Sequence, residues 1–445
     1  MTTPPDRSVT PLPSRAALGF WTCLALVVGN MIGSGVYMLP ATLAPLGWNG
    51  MIGWFVTIGG ALCLAFVFAR LGAKLPLAGG PYAFTQAAFG PGVGFAVAWS
   101  YWVLIWAGNA AIAVAVVSAL SLIVPALGST PGLPAIAALA VIWILIAVNI
   151  RGVALAGRVQ FVTTILKLVP LAGVIGLAAW LLLRDGSAAI APSMPVPLGI
   201  GTIAGAAAIT FWGFLGVESA TVPADKVENA ARVIPRVTLI GTVLTGIVYV
   251  LVSGATMFLM PAAITAASPA PIAEFLGRSF GPRTAEIVAL FAAISAFGTL
   301  NGFILLQGEM PWAMARGGVF PAWFGKESRH GTPTRAHIVS GLLVTVVTLM
   351  NYASSMGQLF QDIASISLAA GMLAYLACAL AAIRLLPHDV PLKAAAAIAA
   401  AFVIWMVYGL GVKADLWGLA LLLLGLPVYW SAHRNRSISN AATAQ

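Results

Sequence analysis

Long apolar runs separated by short polar connections recur along the whole chain. They fall at about 17–40, 50–71, 93–124, 133–150, 159–183, 200–222, 237–260, 284–308, 336–353, 360–383, 394–412 and 415–432. An α-helix needs roughly 20 apolar residues to cross the hydrocarbon layer of a bilayer. The pattern therefore predicts an all-α membrane protein of about twelve transmembrane helices. Two of the runs carry a further signal. The first contains GNMIGSGVYMLP at 29–40 and the sixth WGFLGVESATVP at 212–223. In each, a Gly that follows an aliphatic residue (Ile32-Gly33, Leu215-Gly216) is followed seven residues later by Pro.

These two segments each open a block of five spans, so the second block runs through the membrane in the opposite sense. Gly/Pro-interrupted segments at corresponding places in inverted halves point to a transporter site. Unwinding at Gly33-Ser34-Gly35 and near Gly216 frees backbone N–H and C=O groups, which lipid cannot satisfy. They must face a ligand or a wet cavity, and freed N–H groups at a half-helix start suit a carboxylate. Close helix packing is the alternative for a Gly-x-Gly motif by itself; the matched Gly–Pro spacing favours the break. The predicted organisation is an N-terminal tail (1–16), a first repeat (17–183), a second, inverted repeat (200–383), two further helices (394–432) and a C-terminal tail (433–445).

Composition agrees with a membrane solvent. Of the 445 residues 60% are hydrophobic and 8% charged, against about 25% charged in soluble domains, and the mean hydropathy is +0.99. The net charge of +10 is a matter of topology. With the N-terminus inside, only Arg184, Arg278, Arg283 and Lys413 fall on the outer side and Lys167 falls within a span; every other Lys and Arg is cytoplasmic. This is the positive-inside pattern. It places both termini in the cytoplasm, fits a cell inner membrane, and needs no nucleic-acid partner. The opening MTTPPDRSVTPLPSR has no cleavage-site pattern after the first apolar run and reads as a tail, not a signal peptide.

Metal, cofactor and enzyme chemistry find no footing. Cys23, Cys63 and Cys378 lie far apart in apolar segments, and His330, His337, His388 and His433 lie at segment flanks, so no metal spacing arises. No HExxH, GxSxG or paired-Asp motif is present. Glu218 and Lys167 are the charges furthest from any loop. A mid-membrane charge costs at least about 2.5–3.5 kcal/mol on insertion scales, so each requires a reason. Glu218 would anchor the unwound sixth span or link movement to protonation. Lys167, about nine residues into its span, either snorkels to the inner interface or serves function. Glu286, Glu309 and Asp362 sit at predicted span ends and read as interfacial. Tyr101, Trp102, Trp106, Trp212 and Phe303 are aromatics within spans, where belts and packing compete with substrate contact.

With GNMIGSGVYMLP, WAGNAAI at 106–112, FWGFLGVESA at 211–220 and PADKVENAARVIPRVT after the sixth span, the chain resembles the amino acid–polyamine–organocation superfamily. Within it, the chain is most similar to the basic amino acid/polyamine antiporters, typified by the bacterial arginine/agmatine antiporter. The likeness runs through about the first ten spans. It implies that Asn30, Ser34 and Gly35 bind the substrate's α-amino and carboxylate end, with Ile32, Ile105 and Leu215 in the same site. Trp212 matches a gate over the substrate, and Glu218 the acid of the sixth helix. Tyr101 and Asn109 match third-helix site positions, Asn109 one that meets a guanidinium, and Ser367 a tenth-helix contact. A homodimer is a further implication.

Two departures bear on the substrate. Phe303 stands where the arginine carrier has Trp, offering a weaker cation–π face. Lys167 matches a lysine of proton-coupled and facilitative amino acid transporters, standing where sodium-coupled relatives hold an ion. The leading expectation is thus an antiporter of the arginine/agmatine type working by alternating access. The alternative is a proton-coupled permease or exporter of neutral amino acids that uses Lys167. A channel would show filter repeats or rings of like groups, and a sensor an appended signalling domain; the sequence shows neither.

Overall fold

The computed structural model describes residues 18–268, 270–281, 283–350 and 356–432, with the backbone alone for 356–361. The tails predicted at 1–16 and 433–445 lie outside the described residues. The described chain is helical, with no β-strand. Its principal helices are α1 (Phe20–Met31), α2 (Gly35–Leu43), α3 (Trp48–Lys74), α4 (Pro81–Phe89), α5 (Pro91–Ser121), α6 (Leu133–Ile150) and α7 (Val153–Asp185). They continue as α8 (Ile200–Phe211), α9 (Ala230–Phe258), α10 (Thr284–Arg316), α11 (Thr334–Met350), α12 (Met356–Leu385), α13 (Val390–Leu410) and α14 (Val412–Leu423).

Ten segments are long and apolar enough to cross a membrane, and two shorter apolar helices begin at Ile200 and Thr334. Together these occupy the twelve predicted places. The short segment at Ile200 is the sixth run, and it is short because its helix stops at the expected break. Large apolar side chains such as Trp21, Leu183 and Ile200 are exposed around the bundle, a surface that water would not tolerate and lipid does. Inside, α5 packs along α10 and α12, while α1 packs against α7, α9 and α10.

Both predicted interruptions are present. α1 ends at Met31, Ile32 turns extended (φ −78, ψ 91), and α2 restarts at Gly35. In the sixth run α8 gives way after Phe211 to a single 3-10 turn, Trp212–Phe214, and Leu215 is extended (φ −58, ψ 130). Gly216 then takes φ +105, a conformation that glycine enters without a Cβ penalty. A Cβ there would also stand 2.6 Å from Asn30 Cβ. Gly216 is therefore required twice, by its own backbone and by the close approach of the two broken segments.

Three expectations need correction. α7 begins at Val153, not 159, so Lys167 lies near the middle of its helix and is completely buried; it does not snorkel. α10 runs on through Pro311 to Arg316, so Glu309 is inside a helix and buried, not interfacial. His337 is likewise buried, its ring against Gly308. Glu286 and Asp362 are exposed as expected.

Candidate transport site

The first break leaves carbonyls without helical partners, and three neighbouring helices supply them. From α7, Lys167 Nζ donates to Gly29 O and Ile32 O, both at 2.7 Å, and to Thr299 Oγ1 at 3.0 Å. An ammonium has three hydrogens, and here all three are used. From α10, Thr299 Oγ1 donates to Gly29 O at 2.7 Å, and Ser295 Oγ reaches Gly33 O at 3.2 Å. From α9, Tyr249 OH lies 2.6 Å from Met31 O and 3.0 Å from Gly213 O, one acceptor in each broken segment. Sequence reasoning missed Tyr249, Thr299 and Ser295; a hydroxyl in an apolar run carries no local mark of its distant acceptor.

The phenol of Tyr249 has one hydrogen for two carbonyls, and its ring packs tilted against Trp54, centroids 4.7 Å apart. Tyr249→Phe keeps that packing and removes only the donor. Unsatisfied buried carbonyls cost about 1–3 kcal/mol. The variant is expected to lose stability of that order in reversible unfolding from mixed micelles; an unchanged midpoint would mean that other donors serve both carbonyls.

Around the break lies a small cavity of about 20 Å³, lined by Asn30, Met31, Gly33, Ser34, Gly35, Leu104, Ile105, Gly108, Ile112, Trp212, Leu215, Thr299 and Phe303. Its two walls differ. One is polar: Asn30, Ser34 and Thr299 with the backbone of the break. The Ser34 hydroxyl makes no hydrogen bond, and the first N–H groups of α2 have no intrahelical acceptor. The other wall is apolar, made by Leu104, Ile105, Ile112, Leu215 and Phe303. Trp212 spans the two: its Cδ1 is 3.4 Å from where a Cβ on Gly35 would stand, its Cη2 3.4 Å from one on Gly108. On the far side of Trp212 is a second cavity of about 270 Å³, bounded by α2, α8, α12 and the end of α13.

Of the residues singled out from sequence, Asn30, Ser34, Gly35, Ile105, Trp212, Leu215 and Phe303 meet at this cavity. Asn30 also ties the two breaks together, donating to Ser219 Oγ at 2.8 Å. Ile32 contributes its carbonyl to Lys167 and does not line the cavity. Tyr101, Asn109 and Ser367 are not among the lining residues either. Tyr101 OH donates to Glu218 Oε1 at 2.7 Å, and Tyr375 OH to Glu218 Oε2 at 3.0 Å, so a buried carboxylate is held by two phenols. Asn109 Nδ2 donates to Gln307 Oε1 at 2.8 Å, and Ser367 Oγ to Ala364 O at 2.9 Å.

Ahead of α1 the chain is tied to the segment after the sixth run. Leu18 pairs with the segment after the sixth run, its N–H to Lys226 O (3.1 Å) and its carbonyl from Glu228 N (3.0 Å). Lys226 Nζ meets Glu309 Oε1 at 2.5 Å and lies 5.1 Å from the Trp312 ring. Among the described residues no cluster of three or more His, Cys, Asp or Glu could hold a metal ion.

Comparison with known proteins agrees with this architecture. An amino acid permease family model matches residues 18–428. The chain is 32% identical to the cadaverine/lysine antiporter of Escherichia coli K12 over 369 residues, 82% of each protein. It is 32% identical to a putative arginine/ornithine antiporter of Bacillus subtilis over 357 residues, 74% of this chain and 76% of the relative. It is 27% identical to the putrescine transporter PotE of Haemophilus influenzae over 413 residues, 91% and 94% of the two. These are transporters, not enzymes. A match across nearly every described span, with broken first and sixth helices, places the chain in the amino acid permease family of the amino acid–polyamine–organocation superfamily, among its amino acid/polyamine antiporters.

Proposed function

We propose that this protein exchanges one amino acid for another amino acid or amine across a bacterial inner membrane, with both termini in the cytoplasm. The observation that carries the reading is the division of labour at the first break. The freed carbonyls of Gly29, Met31, Ile32 and Gly33 are all engaged by protein donors. The Ser34 hydroxyl and the opening N–H groups of α2 remain beside the cavity, where a substrate carboxylate gains from the helix dipole. Asn30, Ser34 and Gly35 would hold the α-carboxylate and α-amino end, and the side chain would extend along Ile105 and Phe303. Trp212 would close over it. Rocking one repeat bundle against the other would then expose the site to each side in turn. The cavity must widen as substrate enters, and Trp212, bridging α2 and α5, is the side chain whose swing would widen it.

A cationic pairing is supported by the names of the relatives, cadaverine/lysine and arginine/ornithine antiporters, and by the ring of Phe303 as a cation–π face; agmatine is an extension from resemblance alone. A second reading, proton-coupled transport, draws on Lys167, a buried ammonium whose three partners are all neutral. Counterflow in proteoliposomes tests exchange itself: an unlabelled substrate inside is expected to accelerate labelled uptake. Uptake indifferent to internal substrate would remove the antiport reading.

A further inference from the structure

Resting on the exchange reading, we infer that the substrate's side chain is neutral and apolar, and that diamines and cationic amino acids are poor substrates. The wall beyond the break is made by Leu104, Ile105, Ile112, Leu215 and Phe303. Among the described residues no carboxylate lines the cavity. Glu218 has one oxygen taken by Tyr101 and the other by Tyr375, and it is fully buried.

The polar groups that would greet a cationic tip are turned elsewhere. Asn109 bonds to Gln307 and Ser367 to its own helix, and neither lines the cavity. Asn109 Oδ1 makes no hydrogen bond, yet one amide oxygen would meet only one of an ammonium's three hydrogens. The Phe303 face offers less than the desolvation of a buried ammonium demands. At the other end, the unpaired Ser34 hydroxyl and the opening N–H groups of α2 suit a carboxylate. A diamine, having no carboxylate, would leave them unmet.

The test uses purified full-length protein in two assays. Thermal-shift binding and counterflow are each run with leucine, methionine, lysine, arginine and cadaverine. Leucine or methionine is expected to bind and exchange at least about tenfold better than any cation. Lysine, arginine or cadaverine bound or exchanged as well as leucine would overturn the inference while leaving the exchange reading intact. Neutral amino acids that bind without counterflow would uphold the inference and remove exchange. No binding of any kind would overturn both. Ile105→Asp, which places a carboxylate in the apolar wall, is expected to shift preference towards lysine by about tenfold or more. Its thermal midpoint reports whether it folds, and a folded Ile105→Asp protein with unchanged preference would count against the assignment of this wall to the side chain.

Discussion

Lys167→Ala is expected to lower transport by about 100-fold or more while leaving the protein folded, the scale that misplacing a site by about 1 Å produces. The two halves of this expectation come from one hydrogen-bond network. Truncation removes the ammonium's bonds to Gly29 O and Ile32 O. Gly29 O keeps the Thr299 hydroxyl at 2.7 Å, and that hydroxyl's one hydrogen leaves Ile32 O, 3.2 Å away, with a weaker share, so the loss is about one hydrogen bond. Ser295 Oγ stands 3.5 Å from Ile32 O as a further donor. The cost of burying a charge disappears with the charge itself, so the fold loses bonds and a penalty together. What cannot be replaced is the amine that spans Gly29 O and Ile32 O and fixes the shape of the break. Labelled uptake in proteoliposomes and the thermal midpoint in detergent, measured on the same preparation, separate the two effects. A variant that transports normally would show that Lys167 is only a strut. If uptake driven by a pH gradient loses that dependence in Lys167→Ala while substrate still stabilises the protein, the proton-coupled reading gains; if the dependence persists, it is lost.

The places where sequence reasoning succeeded share a physical cause. The breaks at Gly33-Ser34-Gly35 and Gly216 were legible because backbone freedom and Pro spacing are local properties of the chain. Asn30, Gly35, Trp212 and Leu215 sit within a few residues of a break, so the break carried them to the cavity. Tyr101, Asn109 and Ser367 were placed by resemblance, and their helices do approach the site. What a helix position does not encode is which group its side chain meets. Tyr101 is taken by Glu218 and Asn109 by Gln307, 117 and 198 residues away. Lys167 is ambiguous in sequence because α7 begins at Val153, before the apolar run does, which sets the lysine deeper in the helix than the run implies. Glu309 reads as interfacial because the apolar run stops at about 308, yet α10 continues to Arg316. The partner that makes its burial tolerable, Lys226, lies 83 residues earlier in sequence.

That partnership yields the other large expected effect. Glu309→Ala is expected to destabilise the protein by about 3–5 kcal/mol, the usual result of stripping one member from a buried ion pair. The side chains of Lys226 and Glu309 are 9% and 1% exposed, so without Glu309 the ammonium keeps only the more distant carboxylates of Asp225 and Glu327 and cannot reach water without moving the segment that carries it. The Trp312 ring at 5.1 Å supplies a cation–π contact of about 2 kcal/mol at most, short of replacing the carboxylate. The same segment holds Leu18 through backbone bonds on both sides of Val227, so loosening Lys226 also loosens the entry to α1. Replacing both members, Lys226→Met with Glu309→Met, removes the uncompensated charge and is expected to recover most of the loss, since apolar pairs of similar volume often match or exceed buried ion pairs. Unfolding of the two single variants and the double in mixed micelles gives the coupling by a double-mutant cycle. A coupling near zero, or a Glu309→Ala cost below about 1 kcal/mol as at a solvated surface pair, would mean that the pair is not what holds the segment after the sixth helix to the end of α10.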